Sequence, residues 1–135
     1  MKLNHLLLQT RDMSAMTDFF TEVIGLEHGF RPPFPFKGAW LYAGKEALIH
    51  LVETPLDSTA QTEYLGLNTG EGSGLVDHIA LQGANYKNFI DLLRQYGIEY
   101  SERTVPVTQE HQVFLQGPEG LKIEMLFAKD KATLQ

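Results

Sequence analysis

The chain has 135 residues, 43% hydrophobic and 21% charged, with 11 Lys and Arg against 17 Asp and Glu for a formal net charge of −6. That balance suits one compact unit, or two halves sharing a core, and it excludes disordered and fibrous classes. It provides no general attraction to phosphate backbones or anionic lipid, so neither nucleic acid nor membrane is an expected partner. The absence of cysteine excludes disulfides, thiolate metal sites and a thiol nucleophile, which leaves His, Asp and Glu as metal donors.

The first nine residues hold three consecutive leucines after a histidine, too short and too polar for a secretory leader, and no stretch approaches the ~20 apolar residues of a membrane span. A cytoplasmic protein is expected. Strand 3–9 comes first. A helix over 12–24 follows from Met13, Met16, Phe19, Phe20, Val23 and Ile24 at helical spacing, and Gly25 ends it. Strands 26–30, 39–43 and 47–53 complete the first half. Residues 54–75, with Pro55, Ser58 and five further Gly and Ser residues, read as a linker. The second half repeats the order: strand 76–82, helix 85–96, then strands 98–104, 112–116 and 121–127, with Gly117-Pro118-Glu119-Gly120 turning the last two into a hairpin. Residues 128–135 form a polar tail.

The halves are repeats. His5-Leu6-Leu7-Leu8-Gln9 returns 73 residues later as His78-Ile79-Ala80-Leu81-Gln82, and Gly25-Leu26-Glu27 returns 72 residues later as Gly97-Ile98-Glu99. Trp40-Leu41-Tyr42-Ala43-Gly44 matches Val113-Phe114-Leu115-Gln116-Gly117, and Ile49-His50-Leu51 matches Ile123-Glu124-Met125. The expected fold is α+β, two βαβββ modules (about 1–53 and 76–127) forming one domain with a cup-shaped mixed sheet, in a homodimer.

Strand alternation then isolates four polar residues. On 121–127, Leu121, Ile123, Met125 and Phe127 share the face that takes a helix, which leaves Glu124 on the other; the same parity leaves His5, His50 and His78 away from the helices. Imidazoles and a carboxylate on a half-buried face are costly alone and well accommodated around a divalent cation. His5, His78 and Glu124, with His50 in fourth place, are therefore the candidate metal ligands, and Fe, Ni, Zn, Mn or Co the candidate ions. His28 reads as a solvated or structural residue.

The markers Asn4-His5-Leu6, Phe19-Phe20…Gly25-Leu26, Leu48-Ile49-His50-Leu51, Asp77-His78-Ile79-Ala80-Leu81 and Gly117 to Glu124 resemble the vicinal oxygen chelate superfamily, the glyoxalase, bleomycin-resistance and extradiol-dioxygenase group, from Leu3 to Phe127. The resemblance implies ligands on the first and last strands of each module, namely His5, His50, His78 and Glu124. Similarity to glyoxalase I implies a hemithioacetal isomerase, in which a metal polarises adjacent oxygens and a carboxylate moves a proton between neighbouring carbons; that enzyme carries Glu or Gln where this chain has His50. Similarity to extradiol dioxygenases implies Fe(II) on two His and one Glu, with His50 and His111 as catalytic assistants. Phe114 stands where that family has its tyrosine.

Two further branches remain alternatives. Fosfomycin-type thiol transferases need a cationic pocket, for which Arg11, Arg31, Lys37 and Arg103 are candidates against a plainer reading as solvated surface residues. Bleomycin-resistance-type proteins bind a drug without metal. The segment Phe30 to Phe36, proline-punctuated and aromatic, cannot be a regular central strand and is either a pocket wall or a self-packed loop.

Overall fold

The computed structural model describes residues 2–54, 76 and 78–129. The expected linker, apart from Thr54, lies outside the described residues, as do Asp77 and the tail beyond Lys129. The chain divides into two compact units, Met1–Thr69 and Gly70–Gln135. Both are α+β, and each carries one four-stranded mixed sheet.

The first unit runs β1 (Leu6–Thr10), α1 (Met13–Asp18), a π-helical turn (Phe19–Val23), β2 (Glu27–Gly29), β3 (Gly38–Ala43) and β4 (Glu46–Glu53). Its sheet order is β1-β4-β3-β2, with β1 parallel to β4 and the other pairs antiparallel. The second unit repeats this with β5 (Ile79–Gln82), α2 (Tyr86–Gln95), β6 (Tyr100–Thr104), β7 (His111–Gln116) and β8 (Lys122–Phe127), in the order β5-β8-β7-β6. A parallel first pair requires a helical crossover, and α1 and α2 supply it.

One core lies in each unit. In the first, Met16, Phe19, Phe20 and Val23 are buried with Leu41, Ile49 and Leu51; in the second, Phe89, Ile90 and Leu93 are buried with Val113, Leu115, Ile123, Met125 and Phe127. These are the strand positions that alternation assigns to the helix side, so His50 and Glu124, one position away from them, face the opposite side.

The helices start and stop alike. The Asp12 carboxylate accepts from the Ala15 amide at 2.9 Å, and the Asn85 side chain accepts from the Asn88 amide at 3.1 Å. At the end of α2, Gly97 at φ +64° lets its own amide reach Arg94 O and that of Ile98 reach Leu93 O, the paired bonds of a glycine-terminated helix. The first unit has one residue more: Asp12 to Gly25 spans 13 positions, Asn85 to Gly97 only 12. The chain absorbs it in the π turn, where the Ile24 amide bonds Phe19 O at 3.1 Å, so the expected continuous α-helix over 12–24 is corrected to α followed by π. That extra residue is why the repeat offset drops from 73 to 72.

Two strand boundaries also differ from expectation. His5 and His78 immediately precede β1 and β5 rather than lying within them. The β1 register would set His5 opposite Leu48, the residue that bulges out where β3 shifts register against β4, and the β5 register would set His78 opposite Lys122, where β8 begins. The ladders end there.

Candidate functional site

In the first unit His50 sits on β4, in register with Leu7 of β1 and Trp40 of β3. Its imidazole lies between two parallel rings. His5 stacks on one face at 3.9 Å between centroids and 11° between planes, and Trp40 on the other at 3.8 Å and 9°. Burial lowers the His50 pKa, and the charges of His5 and Arg31 lower it further against an opposing hydrogen bond with Ala47. That shift favours the neutral imidazole, the form that ligates metal. The Asn4 carboxamide holds His5 Nδ1 at 2.7 Å.

These rings border a pocket of about 620 Å³, lined also by Lys2, Arg31, Phe34, Phe36 and Lys45. The segment from Phe30 to Phe36 thus forms a pocket wall. Arg31 is fixed in that wall: its Nη2 donates to Phe36 O at 3.0 Å, and its guanidinium carbon lies 5.0 and 5.2 Å from the ring centres of Phe34 and Phe36. Gly38 makes room for it, since a Cβ there would stand 2.7 Å from Nη2 and 2.8 Å from Nε. Burial lowers the Arg31 pKa from the usual arginine value, and its Nε has no hydrogen-bond partner among the described residues.

In the second unit Glu124 on β8 is 6% exposed and in register with Ala80 and Phe114. Gln112 Nε2 donates to Glu124 Oε1, and Arg103 Nε donates to Gln112 Oε1 at 2.7 Å while its guanidinium covers the Phe114 ring at 5.0 Å. Because the arginine occupies the amide oxygen, the amide nitrogen must point at the carboxylate. His78 Nε2 stands 4.0 Å from Glu124 Oε2, and the edge of its ring meets Phe114 at 5.9 Å.

His111 stands elsewhere. It is in register with Thr104 and Phe127, on the face of the second sheet opposite Glu124. There its Nε2 meets Glu102 at 2.8 Å, its Nδ1 meets Thr104 Oγ1 at 3.3 Å, and the Tyr86 hydroxyl donates to the same Glu102 oxygen. Burial opposes the charge of Glu102, yet the hydrogen bonds from His111 and Tyr86 outweigh it and lower its pKa.

Among the described residues no three of His, Asp or Glu are grouped as a ready-made metal site. Within the second unit the donor types fit nonetheless: an imidazole and a buried carboxylate suit a first-row divalent metal, and the 4.0 Å between His78 and Glu124 is short enough for one ion at about 2.0–2.2 Å from each.

The sequence model of the Glyoxalase/Bleomycin resistance protein/Dioxygenase superfamily matches residues 2–125. The chain belongs to that superfamily. It is 28% identical over 96% of its length to a lactoylglutathione lyase of Escherichia coli O157:H7, covering 95% of that protein. Among solved structures it is similar in fold to a lactoylglutathione lyase from Agrobacterium tumefaciens (TM-score 0.69, 17% identity, 93% and 92% of the two chains) and to the fosfomycin resistance protein FosX from Listeria monocytogenes (TM-score 0.68, 15% identity, 99% and 98%).

In this member of the superfamily, sequence reasoning missed Trp40, Gln112 and the set of Arg31. Matching Trp40 with Val113 put the tryptophan on the wrong face by one residue. The strand pairing sets Trp40 opposite His50 and Phe114 opposite Glu124, so Trp40 corresponds to Phe114.

Proposed function

We propose that this chain is a divalent-metal-dependent enzyme of the glyoxalase type, isomerising a small substrate that chelates metal through adjacent oxygens, with His5, His50, His78 and Glu124 as donors. The observation that carries this reading is Glu124, a buried carboxylate aimed by the Arg103–Gln112 relay and faced by an imidazole 4.0 Å away. A carboxylate removed from water needs a positive partner or a proton to move.

A bound divalent ion would polarise the two substrate oxygens and acidify the C–H bond beside them. The chain's own residues do the rest. Gln112 fixes one oxygen of Glu124, leaving Oε2 toward His78 as the proton acceptor. On a hemithioacetal of a 2-oxoaldehyde, Glu124 takes the proton from the carbon bearing sulfur and returns it to the neighbouring carbonyl carbon, while the hydroxyl proton passes from the first carbon's oxygen to the second's, which gives a 2-hydroxy thioester with no external oxidant. Neutral His50, clamped by Trp40, offers a lone pair rather than a competing charge.

The isomerase branch is favoured over the extradiol branch because His111, the expected dioxygen-side assistant, stands on the opposite face from Glu124. The lactoylglutathione lyases that the chain resembles support the same choice. The dimer is part of this proposal, and light scattering of the metal-loaded protein, giving twice the chain mass, checks it.

Anaerobic calorimetric titration of metal-stripped protein with Fe(II) and with Ni(II) tests the reading. One tight site per chain, lost in His78→Ala, together with turnover of a methylglyoxal–thiol hemithioacetal, is expected. No binding to the unsubstituted protein overturns it and returns the fold to a metal-free binding role.

A further inference from the structure

We infer that the pocket of the first unit receives a carboxylate borne by the substrate, and that Arg31 is the residue that selects for it. This deepens the proposed enzymatic reading and rests on it, because His5 and His50 line the same pocket.

Three observations carry the inference. First, the pocket reverses the sign of the chain. A protein of net charge −6 here gathers Lys2, Arg31 and Lys45 against a single acid, Glu46, and that acid is already paired with Lys2 at 3.4 Å. A concave surface lined by one sign of charge concentrates ligands of the other.

Second, Arg31 is set in place before any ligand arrives. Phe34 and Phe36 stack on its guanidinium, the Phe36 carbonyl holds one nitrogen, and the glycine at 38 lets the group lie against β3. Little side-chain freedom is left to lose on binding, which is the condition under which an arginine fork discriminates planar anions.

Third, its donors are not spent. Among the described residues its one hydrogen bond runs from Nη2 to Phe36 O, and no carboxylate pairs with it. The remaining guanidinium N–H groups are free to meet a carboxylate, which presents two oxygens to the fork. The surrounding Phe34, Phe36 and Trp40 rings give the rest of that ligand an apolar, aromatic wall, so a small arylalkyl carboxylate fits better than a strongly hydrated polyanion.

Trp40 is the chain's one tryptophan and lies in this pocket, so its fluorescence reports occupancy. Phenylacetate and its uncharged isostere phenylacetamide are titrated into the protein, with and without EDTA. Saturable quenching by phenylacetate at least about tenfold tighter than by phenylacetamide is expected under both conditions. In Arg31→Gln the preference should shrink to within about threefold.

Equal binding of acid and amide, no saturable change with either, or a preference that survives Arg31→Gln overturns the inference. So does a preference that EDTA abolishes, which would give the anion to a metal instead. If Arg31→Gln does not fold by circular dichroism, the acid–amide comparison in the unsubstituted protein decides alone. Loss of metal binding with the preference intact would sink the enzymatic reading and leave the anion pocket standing.

Discussion

Trp40 and His50 face each other across β3 and β4, and their rings stack 3.8 Å apart within 9° of parallel. The indole closes the face of the imidazole that His5 does not cover, so both faces of the His50 ring are packed against aromatic rings. Trp40→Leu should cost about 1–3 kcal/mol in urea unfolding, below the range for a fully buried tryptophan because Trp40 is half-buried. If the stack also sets the imidazole for metal, Ni(II) affinity falls about tenfold or more. A stability loss with unchanged affinity would reduce Trp40 to packing.

Two glycines make a contrasting pair. At Gly97 a Cβ meets nothing within 4 Å, so Gly97→Ala should cost only the left-handed backbone conformation, roughly 1 kcal/mol. At Gly38 the Cβ would stand 2.5 Å from Leu51 O and 2.7 Å from Arg31 Nη2. Gly38→Ala should therefore cost about 1–3 kcal/mol and also displace the guanidinium, which phenylacetate titration reads as weaker binding. Gly97→Ala should leave that titration unaltered.

Glu124→Gln is expected to move stability and metal affinity in opposite directions. Removing a buried charge should leave the metal-stripped protein as stable or stabilise it by up to about 1 kcal/mol, while Ni(II) affinity falls by more than the roughly 10–100-fold typical of a group that only orients a ligand. Gln112→Leu should fall within that orienting range. Equal losses in the two variants would remove the distinction between the carboxylate and its relay.

The Tyr86–Glu102–His111 cluster predicts two pH limits. The Glu102 pKa is lowered in the folded chain, so its contribution is complete above the ordinary glutamate range and disappears as pH falls through the folded value. The Tyr86 pKa is raised to about 12, by burial first and then by Glu102; its contribution is complete below its ordinary 10.0 and is lost as pH rises through about 12. Urea midpoints against pH should lose the acid limb in Glu102→Gln and the alkaline limb in Tyr86→Phe. Ultraviolet titration should show one tyrosine ionising last, and its absence would remove the Tyr86–Glu102 bond from the account.

Local pattern alone carried much of this protein. Alternation at Ile123, Met125 and Phe127 put Glu124 on the face away from the helix, and the drop in repeat offset from 73 to 72 already contained the residue that the π turn absorbs. The face of His111 was legible too, since it alternates with Val113 and Leu115, although likeness to dioxygenases pointed the other way. These features depend on neighbours two to four residues apart, which the sequence displays directly.

The tertiary structure decided the rest. Whether Trp40 or its neighbour meets His50 depends on the register of β3 against β4, which a bulge at Leu48 shifts by one residue and no local pattern reveals. Arg31 became a pocket residue because the proline-broken loop folds back to lay Phe34 and Phe36 on its guanidinium. Contacts between residues distant along the chain are settled only when strands pair and loops close, and those non-local choices made the pocket.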